Sequence, residues 1–293
     1  MMSNQKRAAD HTAELVTKIQ QRFPGATRAA GKLVVIKFGG AAMDETSTQE
    51  LIASEIAALA QLGVKIVVTH GGGNEIGRWL EKLNLSSSFV SGIRVTSPEA
   101  MAVTEMVLAG RVNGELTSRI SYAGAKAIGL SGRSARLTTA EARLGPNGEA
   151  LGRVGRITKV NPTPLKLLVA SDHIPVLACV TEDSEGSALN INADDFAAEI
   201  SGAMRAEWCI FLTNVDGIKK DGAVIQTVTA EEGQALISER VVTGGMIQKV
   251  ECALAASRLG VRKVAIANAA VPFIISSVLA ESTGCGTVVQ AAC

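Results

Sequence analysis

Six short aliphatic runs, interrupted only by Lys65 and Lys126 near the starts of two of them, most constrain what this chain can fold into. Leu33-Val34-Val35-Ile36 is the first; residues 64–69, 125–130, 175–180, 208–213 and 264–267 follow it. A strand wetted on one face alternates apolar and polar side chains, whereas unbroken aliphatic runs read as strands covered on both faces. Between them lie segments with helical spacing, at residues 48–62, 98–122, 162–172, 193–205, 230–239 and 246–259. Strand and helix in regular alternation imply a three-layer αβα sandwich around a mostly parallel, open sheet. Residues 135–160 differ in texture, and Gly145-Pro146-Asn147-Gly148 is a strong turn signal, so a β-hairpin excursion is expected there. Before the first strand, Leu15, Val16, Ile19 and Phe23 fall on one face of a short amphipathic helix that ends near Pro24-Gly25. Its apolar face suits either a partner surface or folding back on the same chain.

A chain of 293 residues exceeds the usual size of one domain. The reading divides it into an N-terminal extension (1–30), a first lobe (31–185) and a second lobe (186–293). The soft boundary lies at Asp183-Ser184-Glu185-Gly186, and one continuous sheet runs through both lobes. With 29 Lys+Arg against 28 Asp+Glu, the chain has no basic footprint, and one Tyr, two Trp and six Phe make no stacking platform, which argues against nucleic acid. The five cysteines are widely spaced without CxxC, as expected for buried thiols in a reducing cytoplasm rather than a disulfide or zinc framework. The N-terminal residues lack an apolar signal core, and residues 264–280 are interrupted by Asn268, Pro272 and a serine pair, so no membrane span is expected.

The chemistry is expected beyond the carboxyl ends of the strands. Glycine-rich turns follow three strands directly: Lys37-Phe38-Gly39-Gly40, His70-Gly71-Gly72-Gly73 and Gly129-Leu130-Ser131-Gly132. Glycine lets backbone N–H groups approach an anion closely, and a following helix adds its positive end. The bland reading is that such glycines merely allow tight turns. Two of them on adjacent strands, one with a lysine at the strand end, shift the balance towards anion binding. Neither is a Walker loop or a dinucleotide fingerprint. His70 reads as a turn or core histidine rather than a base. Lys37 ends an apolar strand. Arg94, Asp194 and Lys249 sit near the starts of helical segments, where each alone could equally be a solvated charge.

In combination, KFGGAAM, HGGGNEIG, GIRVT, GLSG, NINADD, LTNVDGI and GGMIQKV, in this order, resemble the amino acid kinase family over residues 32–287, and within it the members that phosphorylate N-acetylglutamate. The resemblance implies transfer of the γ-phosphoryl of ATP, with Mg2+, to the side-chain carboxylate of N-acetyl-L-glutamate on the route to arginine. It implies catalytic roles for Lys37, Lys249 and Asp194, and acceptor binding by Gly72, Gly73, Arg94, Asn190 and Asn192. Gly39, Gly40, Thr213, Asn214, Gly217, Lys219, Thr243 and Gly245 would serve the nucleotide. No side chain of the chain is expected to hold a resident metal. A homodimer through the first lobe is implied, which the N-terminal helix could extend to a hexamer.

The chain departs from the family pattern in places. Ser134 stands where an acidic residue is usual, Asn214 where Asp is usual, and Asn268-Ala269-Ala270 where Asp-Gly-Arg is common. These departures motivate two alternatives: a kinase for a related acid, such as an aminoadipate derivative or secondary-metabolite precursor, or a non-catalytic nucleotide- or metabolite-sensing subunit. Arginine-inhibited members carry a His and a Glu where this chain has Phe273 and Val278, so no feedback inhibition by arginine is expected.

Overall fold

The computed structural model describes residues 2–290, with the side chains of residues 2–9 and 41 left aside. The chain opens with α1 (Met2–Arg22) and a 3-10 turn, Pro24–Ala29, then enters β1 (Leu33–Phe38). A second 3-10 turn, Gly40–Met43, leads to α2 (Thr46–Gln61), β2 (Lys65–His70) and α3 (Gly73–Lys82). A small hairpin of β3 (Ser88–Val90) and β4 (Ile93–Val95) precedes α4 (Pro98–Glu105), a π-helical segment Met106–Val112, α5 (Asn113–Tyr122) and β5 (Ala127–Ser131). Next come β6 (Thr138–Leu144), β7 (Ala150–Val160), α6 (Thr163–Ala170), β8 (Ile174–Ala178), β9 (Val180–Glu182) and β10 (Ala188–Asn190). The remainder is α7 (Ala193–Ala203), β11 (Trp208–Thr213), β12 (Lys219–Lys220), β13 (Ala223–Val224), β14 (Thr227–Thr229), α8 (Ala230–Ser238), α9 (Gly245–Arg258), β15 (Lys263–Asn268), α10 (Ile274–Leu279) and β16 (Thr287–Gln290).

Eight strands form one sheet in the order β14-β16-β15-β11-β1-β2-β8-β5. Every neighbouring pair is parallel except β15–β16. β1 is central and pairs with both β2 and β11. Its side chains alternate between the faces. Val34, Ile36 and Phe38 join the core under α2, α5 and α10, while Val35 joins the core under α3, α4 and α7. Lys37 shares the face of Val35 and so points at the α7 layer.

Three expectations change in detail. The helix expected over 98–122 is broken in the middle by the π segment, which contains Gly110. The extra residue per turn presses Leu108 and Val112 onto Gly72, where an added Cβ would lie 2.8 Å from Leu108 Cδ2. The strand expected over 175–180 ends at Ala178, and Val180 already belongs to the next strand. The hairpin expected in 135–160 is present as antiparallel β6–β7, but β9 and β10 close it into a four-stranded barrel. Inside it, Thr181 Oγ1 donates to the Thr138 carbonyl at 2.8 Å, a long-range bond that composition does not announce. The turn at 183–187, where the lobe boundary is expected, is the tip of the β9–β10 hairpin.

α1 is longer than expected, and it folds back. Leu15 and Ile19 are buried in the core shared with α2, and Thr12 Oγ1 donates to the Ala123 carbonyl at 2.7 Å.

On α2, Glu55 is only 2% exposed, and Ser276 donates to its Oε1 through N (2.6 Å) and Oγ (2.7 Å). Burial outweighs these bonds and pushes the Glu55 carboxyl up to about 7. The folded state therefore keeps a proton that the unfolded chain, near 4.5, has already released. Stability falls as pH rises through that window and levels off above it. Glu55→Gln is expected to flatten this slope, narrowing the stability difference between pH 5 and pH 8 by roughly 3 kcal/mol relative to the parent. Urea titrations of both proteins at the two pH values check this, and parallel slopes would refute it.

Candidate active site

Asp194 stands in the first turn of α7, and its position follows from a local cap. Asn192 Oδ1 accepts from the N–H groups of Asp194 (2.9 Å) and Asp195 (3.2 Å), which starts the helix there. Lys37, at the end of β1, reaches Asp194 Oδ1 at 2.7 Å. Lys249, in the second turn of α9, donates to Oδ2 at 2.9 Å. The Lys37 contact is a buried ion pair on the other carboxylate oxygen from the one Lys249 holds. The side chains of Lys37 and Asp194 are 6% and 8% exposed, while Lys249 is 22% exposed and faces the opening. Burial opposes ionisation of Asp194, but the two ammonium groups outweigh it and hold the carboxyl at about 2. Two cations held by one carboxylate form a fixed pair of positive groups.

The two glycine turns flank this cluster. A Cβ on Gly39 would lie 2.9 Å from Lys37 Nζ and 3.5 Å from the Gly71 nitrogen. A Cβ on Gly71 would lie 3.2 Å from Ala193 Cβ at the start of α7. The turns after β1 and β2 therefore meet at the lysine head and the α7 N-terminus, with Gly40 and Gly72-Gly73 continuing each turn. Arg94, on β4, comes to the same place. Its Nη2 donates to the Gly73 carbonyl at 2.8 Å, Nη1 bonds Ser87 Oγ, and the guanidinium lies 4.6 Å from the centroid of the Phe89 ring. Asn190 Nδ2 lies 3.4 Å from Thr96 Oγ1, which in turn donates to the Arg94 carbonyl at 3.0 Å. Asn190 is thus linked to the Arg94 strand, whereas the Asn192 side-chain oxygen is committed to the helix cap.

The residues expected at the nucleotide lie along the carboxyl ends of β11 and β15 and before α9. Thr213 ends β11 and pairs in register with Asn268. Thr213 Oγ1 donates to Asn214 Oδ1 at 3.4 Å. Lys219 Nζ donates to Asp216 Oδ2 at 2.9 Å, and Asn268 Nδ2 donates to Asp216 Oδ1 at 2.9 Å. Gly217 has φ +140°, and a Cβ there would lie 2.7 Å from Thr287 Oγ1, so it is a packing glycine. Thr243 and Gly245 form the entry to the helix that carries Lys249.

The third glycine turn decides for the bland reading. A Cβ on Gly129 would lie 2.1 Å from Asn113 Oδ1, and one on Gly132 would lie 2.2 Å from Thr138 Oγ1 and 2.6 Å from the Val180 carbonyl. These glycines make room for protein atoms. Ser134, where the pattern departs, accepts from the Ser131 N–H at 3.0 Å and closes the turn itself. Arg133 beside it pairs with Glu105 and Glu182.

Sequence reasoning did not find Asn113, which is 4% exposed and begins α5. Its Nδ2 lies 2.9 Å from His70 Nε2, 2.8 Å from the Val176 carbonyl and 3.2 Å from the Leu130 carbonyl. One side chain thus ties the ends of β2, β5 and β8. Its neighbours, Arg111-Val112-Asn113-Gly114-Glu115, are polar enough that the amide does not stand out in the sequence. A cavity of about 1060 Å³ lies elsewhere, between α1, α2 and α5. It lacks the convergence of lysines, carboxylate and glycine amides that makes the cluster around Asp194 the candidate site.

The model of the amino acid kinase family matches residues 32–268. The chain is 39% identical over 282 residues to the acetylglutamate kinase of Nostoc sp. strain PCC 7120, covering 94% of each chain. It is 42% identical over 264 residues to that of Gloeobacter violaceus, covering 87% of this chain and 86% of the other. Among solved structures, smu.665 from Streptococcus mutans superposes with a TM-score of 0.74 at 30% identity, covering 89% of this chain and 99% of that one. The N-acetylglutamate synthase of Neisseria gonorrhoeae, in complex with coenzyme A and N-acetylglutamate, superposes with a TM-score of 0.82 at 24% identity. This chain covers only 62% of that protein's length, with 92% of its own residues aligned, so the likeness shows the fold.

Proposed function

The chain belongs to the amino acid kinase family, and from that premise we propose that it transfers the γ-phosphoryl group of ATP to the side-chain carboxylate of N-acetyl-L-glutamate. The product, N-acetylglutamyl 5-phosphate, serves arginine biosynthesis in this reading, and the relatives compared above carry the name acetylglutamate kinase. The observation that supports this most is the pair Lys37 and Lys249, gripped by one buried carboxylate where two glycine turns meet.

A carboxylate acceptor is already ionised at neutral pH, so the reaction needs no general base. The difficulty is to bring two anions together and to spread charge over the transferring phosphoryl oxygens. Lys37, from the acceptor side, and Lys249, from the nucleotide side, answer that charge, and Asp194 holds them in place beforehand. The N–H groups of Gly40, Gly72 and Gly73 complete the cradle. Arg94 and Asn190 take the acceptor's α-carboxylate end. Asn192 acts through the helix cap that sets Asp194. Gly39, Thr213, Asn214, Lys219, Thr243 and Gly245 form the wall against which the nucleotide lies, and Gly217 packs behind it on Thr287.

Asp194 is engaged by two ammonium groups, and the described residues group no three His, Cys, Asp or Glu side chains that could hold a metal ion. Mg2+ therefore suits this site as an ion carried on the nucleotide phosphates, where it neutralises their charge. The working assembly is a homodimer in the cytoplasm, with residues 31–185 as the acceptor lobe and residues 186–293 as the nucleotide lobe. No helix among the described residues is long and apolar enough to cross a membrane.

The test is direct. Purified protein with ATP, Mg2+, hydroxylamine and N-acetylglutamate is expected to give a hydroxamate, trapped from the acyl phosphate. A hydroxamate formed only with another acid would transfer the reading to that acid. ATP binding without any hydroxamate would replace it with a sensing role. Insensitivity to arginine is a second expectation. Phe273 precedes α10, its ring 5.9 Å from that of Phe23, and the Arg22 guanidinium lies 5.5 Å from each ring. The chain's own cation covers that aromatic surface. Hydroxamate formation is expected to be unchanged at millimolar arginine, and a clear drop would overturn this.

A further inference from the structure

His70 is fully buried at the end of β2, takes no part in the chemistry above, and yet makes two hydrogen bonds that leave it only one arrangement. Its Nδ1 lies 2.9 Å from the Gly71 carbonyl and its Nε2 lies 2.9 Å from Asn113 Nδ2. The amide of Asn113 can be oriented only one way. Its nitrogen also faces the carbonyls of Leu130 and Val176, and a flipped amide would set oxygen against two oxygens. Asn113 therefore donates, its two amide hydrogens shared among three acceptors, and His70 Nε2 must offer a lone pair. The Gly71 carbonyl only accepts, so the hydrogen of the imidazole resides on Nδ1. Both partners demand the same neutral tautomer. Burial agrees with them, pushing the His70 imidazole down to about 4.

The consequence falls on the next peptide unit. In a planar trans peptide the C=O of Gly71 and the N–H of Gly72 point in opposite directions. With the carbonyl gripped by His70 from the sheet side, the Gly72 N–H is turned outwards, and it has no acceptor among the described residues. Leu108 and Val112 of the π segment close over Gly72 and prevent the turn from rolling. We infer that His70 and Asn113 are positioning residues, which lock the Gly71–Gly72 peptide so that the Gly72 amide is aimed at an anionic oxygen in the site.

This rests on the proposed role of the Gly72 amide, so the tests separate the two. An Asn side chain at position 70 places its amide nitrogen where Nδ1 stands and can still donate to Gly71. A Gln side chain reaches the Nε2 position and serves Asn113 but not Gly71. His70→Gln is expected to lower hydroxamate formation from N-acetylglutamate by about 10²-fold, through kcat more than through the KM for ATP. His70→Asn is expected to remain within about tenfold of the parent. A purely space-filling role predicts no such order, and equal activities or the reverse order would overturn the inference. Long-range 1H–15N spectra of the unsubstituted protein provide a reading that needs neither activity nor a folded variant. His70 is expected as the Nδ1–H tautomer from pH 8 down to pH 5, and an Nε2–H or doubly protonated ring there would overturn it. An unsubstituted protein that makes no hydroxamate but shows the Nδ1–H tautomer would remove the proposed function while leaving the His70–Asn113 lock in place.

Discussion

Asp194→Ala is expected to destabilise the protein by about 3–5 kcal/mol and to lower turnover by on the order of 10³-fold, the largest effects of any single change in the site. The two effects have one origin. Lys37 is buried, with its ammonium 2.7 Å from Asp194, and Lys249 approaches the same carboxylate from the other helix. Removing the carboxylate leaves a buried cation without a counter-charge and a second cation facing it. Breaking such a pair from one side costs far more than the pair contributes, because the remaining charge cannot return to water. Neither lysine then has a reason to stay where the phosphoryl group must pass. Asp194→Asn keeps the shape and removes the charge, and its losses should fall between parent and alanine.

The pH dependence has a defined sign. The folded Asp194 carboxyl, at about 2, lies below its ordinary 3.8, so its contribution is present above 3.8 and is lost as pH falls towards 2. The stability difference between the parent and the alanine variant, read from urea titrations, should narrow as pH falls from about 4 towards 2. Parent-like turnover in the alanine variant would remove Asp194 from the centre of the site.

Lys249→Ala should separate the same two quantities. Its side chain is 22% exposed, and its loss leaves Asp194 still paired with Lys37. Stability is therefore expected to change little. Turnover should fall by about 10²–10³-fold, as expected when one preorganised group facing transition-state charge is removed. The KM for the acceptor should hardly move, since Lys249 is assigned to the transferring phosphoryl. Lys249→Arg should recover little, because a planar fork does not occupy the place of a compact ammonium on Asp194. Combining Lys249→Ala with Asp194→Ala should cost less than the sum, since the first change removes one of the cations that the second leaves unpaired. Additive losses would show that the three groups do not act as one unit.

Much of this arrangement is legible in the sequence. Lys37 stood out because an aliphatic strand should not end on a lysine without a partner, and its face follows from the alternation along β1. The glycines after β1 and β2 were visible as turns, and the packing role of residues 129–132 was one of two open readings. The His70–Asn113 bond was not visible, since 43 residues separate its ends and Asn113 lies in no motif. The π segment was hidden as well. Its composition is that of an ordinary helix, and only the close approach of Leu108 to Gly72 reveals why an extra residue is accommodated there.

Residue pattern alone determined the αβα layers and the alternation of the main strands and helices, because burial on both faces and helical spacing are local properties that each segment expresses by itself. Only the tertiary structure decided that Lys37, Asp194 and Lys249 share one contact, that β9 and β10 close a barrel on the β6–β7 hairpin, and that α1 lies on its own chain. These are pairings between segments far apart in sequence. Many partners would satisfy the hydrophobicity of each segment, and what selects among them is the fit of side chains and charges after the sheet has brought them together.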